Sequence, residues 1–83
     1  AFYDAFAARS HTEPRLRLEA ARAHRRVALL RARLGDAAAA EAAFAQALER
    51  VEALLRDAPL DPTYRLELAM TLLDASREEP GPP

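Results

Sequence analysis

Between two long stretches of helical periodicity sits the tripeptide Leu34-Gly35-Asp36. Gly just past the last periodic residue ends a helix, because without a Cβ it enters the left-handed conformation at no steric cost. Asp in the next place begins another, since its carboxylate accepts from N–H groups that a first helical turn leaves unpaired. The chain on either side is therefore expected to fold back on itself as a tight helical hairpin. No stretch alternates with the two-residue period of a strand, so the expected fold class is all-α.

Four helical segments are expected, at about 1–9, 14–34, 37–58 and 62–76, with 77–83 as a Pro-rich tail or linker. The first places Phe2, Ala5 and Phe6 on one side. Ser10-His11-Thr12 breaks the pattern, and Thr12-Glu13-Pro14 reads as a cap with Pro in the opening turn. The second segment carries Leu16, Ala20, Ala23, Val27, Leu30 and Leu34 on one stripe, which is the expected core face. The third carries Ala40, Phe44, Ala47, Leu48, Val51 and Leu54 or Leu55, and Pro59 ends it. Asp61-Pro62 caps the fourth, whose stripe is Leu66, Ala69, Met70 and Leu73.

Composition supports this reading. Ala occurs 21 times and all 12 basic residues are Arg, a vocabulary of strong helix formers. The net charge of −1 conceals an asymmetry. Residues 1–35 hold eight Arg against Asp4, Glu13 and Glu19, a balance of +5, whereas residues 36–83 hold four Arg against ten acids, a balance of −6. The plain reading is that basic and acidic helices face each other; the sharper one is that a basic face is kept for an anionic partner. At 83 residues the chain makes one domain at most, with a small core. There is no cysteine for a disulfide or thiol chemistry. No apolar run reaches the roughly 18 residues of a membrane span, and no secretion signal is present, so the expected location is cytoplasmic. The start at Ala1 and the Pro-rich end are read as those of a piece of a longer protein.

The chain also repeats itself at an offset of 48 residues. Pro14-Arg15-Leu16-Arg17-Leu18-Glu19-Ala20-Ala21 aligns with Pro62-Thr63-Tyr64-Arg65-Leu66-Glu67-Leu68-Ala69, with Pro, Arg, Leu, Glu and the final Ala identical. Upstream, Asp4-Ala5-Phe6-Ala7 parallels Glu52-Ala53-Leu54-Leu55. The expected organisation is the end of one repeat, a whole helical pair and the beginning of a third unit. Such units do not bury their apolar faces alone. The isolated chain is therefore expected to self-associate through Phe2, Phe6, Leu66, Met70 and Leu73, the rival being a closed four-helix bundle.

The stretch 21–47 resembles a tetratricopeptide repeat. That family pairs two antiparallel helices around a Gly-Asp-like turn, and its second helix carries Ala, an aromatic four later and Ala three after that; Ala40, Phe44 and Ala47 match. In its first helix the places of a bulky residue, a Leu-Gly pair and an aromatic hold His24, Val27-Ala28 and Arg31 here. Pro59 comes twelve residues after Ala47, so the second helix is longer than is usual in the family. The run 16–69, with RLEAARAHRRVALLRARLGD, AEAAFAQALERVEALL and DPTYRLELA, is similar to the long-helix repeat arrays appended to serine/threonine protein kinases in some GC-rich bacteria. The resemblance implies a non-catalytic protein–protein interaction or scaffolding module within a larger bacterial signalling protein. No Gly-rich loop, catalytic Asp-Asn loop or Lys is present, so no kinase chemistry is expected in these residues.

Candidate partner-binding residues lie on the second segment. Arg22, Arg25, Arg26 and Arg33 stand roughly opposite Leu16, Ala23, Val27 and Leu34, with Leu18 and Leu29 among the arginines. Two leucines on a charged side point to a neighbouring helix or a ligand. The arginines would pair with acidic groups of a protein or acidic peptide, and the leucines would add apolar contact. The plain alternative is a solvated face of arginine stems and ordinary exposed leucines. His11 and His24 lack companions at metal-ligand spacing, and Ser10 and Ser76 lack a base, so no metal, cofactor or enzymatic activity is expected. Nucleic-acid binding would rest on the arginine helix alone; it is an alternative, not the expectation, as is a purely structural self-association element.

Overall fold

The computed structural model describes residues 13–78, so the helix expected at 1–9 lies outside the described residues, as does most of the expected tail. The described residues form three helices: α1 (Pro14–Arg33), α2 (Ala37–Asp57) and α3 (Pro62–Glu78). None of them is in a strand, and the fold is all-α. α3 continues two residues past the expected end at 76.

The boundaries follow from local chemistry. Gly35 takes φ 83°, the only positive φ among the described residues. Its N–H donates to the Ala32 carbonyl at 3.0 Å, and the Asp36 N–H donates to Arg31 at 3.0 Å, so carbonyls left open by the end of α1 are satisfied. Asp36 then caps α2, its carboxylate accepting from the Ala39 N–H at 3.1 Å. Asp61 does the same for α3, accepting from Thr63 at 2.9 Å and Tyr64 at 3.3 Å. α1 opens on Pro14, and Glu13 before it makes no side-chain cap bond. Proline at that place needs no donor partner, because the first N–H groups of a helix have none within it.

The core lies between α1 and α2, with α3 packed mainly on α2 and touching α1 along one edge. α2 buries Ala40, Ala43, Phe44, Ala47, Val51 and Leu54, which follows the expected stripe. Phe44 packs with Ala28 and Ala43, and Leu29 and Ala75 close around it, so one ring joins all three helices.

Two expected core faces point the other way. On α1 the buried residues are Leu18, Ala21 and Ala28, while Val27 (45% exposed), Leu30 (56%) and Leu34 (70%) face outward. An aromatic on α2 requires small residues opposite, and a face of Val and Leu would hold the helices apart; the alanine side of α1 is the one that fits. On α3, Leu66 (61% exposed), Met70 (38%) and Leu73 (53%) face outward, and Glu67 and Thr71 are buried. α3 turns its polar side inward because arginines of α1 meet it there.

Candidate functional site

The polar seam between α1 and α3 centres on Glu67, whose side chain is only 3% exposed. Arg22 Nε donates to Oε1 at 3.2 Å and Arg25 Nε to Oε2 at 2.7 Å. Arg25 Nη1 also donates to Asp74 Oδ2 at 3.1 Å, and Arg22 Nη1 to Glu19 Oε1 at 2.8 Å. Residues 67, 71 and 74 share one face of α3 by helical spacing, and residues 22 and 25 share one face of α1. Buried Thr71 donates its hydroxyl to the Glu67 carbonyl at 2.8 Å, one turn back. Among the described residues no buried side-chain polar atom lacks a partner.

The cluster also holds its arginines in the charged form. The hydrogen bonds that Arg22 donates to Glu19 and then to Glu67 raise its affinity for its proton above the ordinary value. For Arg25 the largest influence is burial, which pulls the other way, but the bonds to Glu67 and Asp74 outweigh it and the net shift is upward. A buried carboxylate held by two guanidinium groups and a backbone capped on its own face is a structural joint.

The six candidate partner-binding residues therefore divide. Leu18 is buried, and Leu29 is partly buried against the Phe44 cluster. Arg22 and Arg25 are engaged with α3. Arg26 is exposed and stands 3.9 Å from Glu19. Arg33 is exposed in the last turn of α1. The carboxylates expected for this face are thus supplied by the chain's own α3, and Leu29 packs against the Phe44 cluster. Charge asymmetry also appears across the hairpin, where Arg17 Nη1 meets Asp57 Oδ2 at 3.0 Å. Sequence reasoning did not single out Glu67, Thr71 and Asp74. A signal was present: they recur at helical spacing beside the stripe of Leu66, Met70 and Leu73, on the acidic half of the chain.

Two apolar stripes also face outward. Val27, Leu30 and Leu34 form an outward stripe on α1, and Leu66, Met70 and Leu73 form another on α3. A shallow, open depression of about 260 Å³ is lined by Arg17, Gln46, Glu49, Arg50, Ala53 and Arg56. It is polar, and Arg17 in its wall is already paired to Asp57. His24 is half-buried on α1. Among the described residues no group of three His, Cys, Asp or Glu side chains is placed to hold a metal ion, and no helix is long and apolar enough to cross a membrane. Comparison of the chain with protein-family models, with curated proteins and with solved structures finds no match.

Proposed function

We propose that this chain is a non-catalytic protein–protein interaction or scaffolding module, and that it meets its partners through the outward apolar faces of α1 and α3. The observation behind this reading is the disposition of Val27, Leu30 and Leu34 on one helix and Leu66, Met70 and Leu73 on another. Single exposed leucines are ordinary. Three large apolar residues at helical spacing on each of two outer helices form contiguous patches, and such patches mark association surfaces. The finer reading, a tetratricopeptide-like element of a larger bacterial signalling protein working in the cytoplasm, is supported by the Ala40-Phe44-Ala47 pattern and the 48-residue repeat. The arginine face plays a different part from the one expected: Arg22 and Arg25 fasten α3, which leaves partner contact to the apolar stripes.

A photo-crosslinking residue placed at Leu30 or at Leu73 in the native cell tests the reading. The expected result is a discrete protein adduct from at least one position and none from Glu49, which is exposed on α2 away from both stripes. No adduct from either position would overturn it.

A further inference from the structure

Two sides of α3 turn inward. Glu67 and Asp74 meet the arginines of α1. Tyr64, Leu68 and Ala75 lie on the other side of buried Thr71 by helical spacing, and all three are half-buried. Ala75 packs against the Phe44 cluster, and α3 packs mainly on α2, so this second side is the one that α2 covers. The 48-residue repeat carries these positions back onto α1, where Tyr64 corresponds to Leu16, Leu68 to Ala20, Thr71 to Ala23 and Ala75 to Val27. All four places on α1 are apolar. They belong to the stripe expected as its core face, yet Leu16 and Ala20 are only half-buried, and Ala23 and Val27 are exposed. α2 meets α1 on the opposite side, at Leu18, Ala21 and Ala28.

The repeat also identifies what stands before α1. Residues 1–9, which lie outside the described residues, correspond to 49–57, the closing stretch of α2. Residues 10–13 link them to Pro14, and residues 58–61 link α2 to Pro62, so the two links are equally long. Helices joined by so short a link are antiparallel neighbours. Counted outward from the second link, Leu55 comes level with Tyr64 and Val51 with Leu68. The same count from the first link brings Ala7 level with Leu16 and Tyr3 level with Ala20.

We propose that residues 1–9 of this chain dock as a helix on the outward stripe of α1, over Leu16, Ala20 and Ala23, as α2 docks on α3. Large meets small at both level positions, Tyr3 over Ala20 and Ala7 against Leu16. The short link keeps the segment beside this face at high effective concentration, which favours it over a foreign occupant. At about 1.5 Å per residue, residues 1–9 reach back along α1 as far as Ala23 and no further. The stripe is thereby divided: its first half is closed by the chain itself, and Val27, Leu30 and Leu34 stay open. The proposal goes beyond the interaction-module reading and does not depend on it, since that reading uses only the open half.

Hydrogen exchange of the whole 83-residue protein at low micromolar concentration tests it. The first four N–H groups of a helix have no partner within it, so the informative amides are those of residues 5–9. Their exchange is expected to be at least tenfold slower than in an unstructured chain. Ala20→Glu, which places a charge under Tyr3, and Tyr3→Ser should each return these amides to about the unstructured rate, while amides of α1 and α2 around Phe44 keep their protection. Unstructured exchange at residues 5–9 in the parent protein would overturn the proposal, as would protection that survives both substitutions. Protection that appears only as protein concentration rises would also overturn it, by making a second copy the occupant. Crosslinking from Leu30 or Leu73 is a separate readout, so failure here removes the docked segment and leaves the interaction reading standing.

Discussion

Across the seam between α1 and α2, Ala21, Ala28, Ala47 and Val51 are fully buried, and Phe44 fills the space that the alanines leave. Across the seam between α1 and α3, the joining groups are two guanidinium groups, Glu67 and Asp74. The first seam is non-directional: it draws on apolar burial, at about 25 cal/mol per Å², and on close packing. The second is directional. The gain from a buried ion cluster is largely offset by desolvating its members, so it adds little net stability, yet removing Glu67 leaves Arg22 and Arg25 with only Glu19 and Asp74 to pair with. The difference teaches how a short chain can hold a third helix with its apolar side outward. Ion pairing selects which side of α3 turns in, and the leucines are left for contact elsewhere.

The most severe way to break this comparison is at the centre of the apolar seam, Phe44, against which Ala75 of α3 also packs. Phe44→Ala should cost about 3–5 kcal/mol in urea denaturation. That is a large share of the about 5–15 kcal/mol typical of whole domains. A loss below about 1 kcal/mol would mean that Phe44 does not anchor the hairpin. Next comes Glu67→Ala, expected to cost about 3 kcal/mol, because Arg22 and Arg25 would keep their charge without their shared partner. An unchanged melting temperature would show that α3 is held by apolar contact alone.

The parts of this architecture that rest on single residues were legible in the sequence. Gly35, Asp36, Pro59 and Asp61-Pro62 act within a few residues of themselves, and each ends or begins a helix where expected. The α2 stripe was legible because only one of its sides is apolar. The faces of α1 and α3 were not. Both helices carry large apolar residues on more than one side, Leu18 and Leu29 standing among the arginines of α1, and periodicity alone does not say which side meets a neighbour. The answer depended on Phe44, which needs alanine opposite it, and on carboxylates 42 and 49 residues from Arg25. Neither constraint is local. The same ambiguity made Arg22 and Arg25 candidates for a foreign acidic partner, a role that α3 fills within the chain.

A milder test acts on the turn without touching either seam. Gly35→Val should cost about 1–2 kcal/mol, since a β-branched residue is strained at φ 83°. An added Cβ would meet nothing within 4 Å, so the loss is conformational and should be similar with or without α3 docked. The smallest effect is expected where the polar seam is made apolar as a whole. Arg22→Met, Arg25→Leu, Glu67→Leu and Asp74→Leu together should leave stability within about 1 kcal/mol of the parent or raise it, although Glu67→Ala alone is costly. A quadruple variant as unstable as the single one would mean that the ion cluster contributes much more than it costs to desolvate.

Hydrogen exchange of the Glu67→Ala variant tests most directly whether α3 is fastened separately from the hairpin. The account predicts that backbone amides of α3 lose protection while those of α1 and α2 around Phe44 keep theirs, since the apolar seam is untouched. A uniform loss across all three helices would contradict it and show a single cooperative core, and unchanged protection in α3 would show that the ion cluster is not what holds that helix.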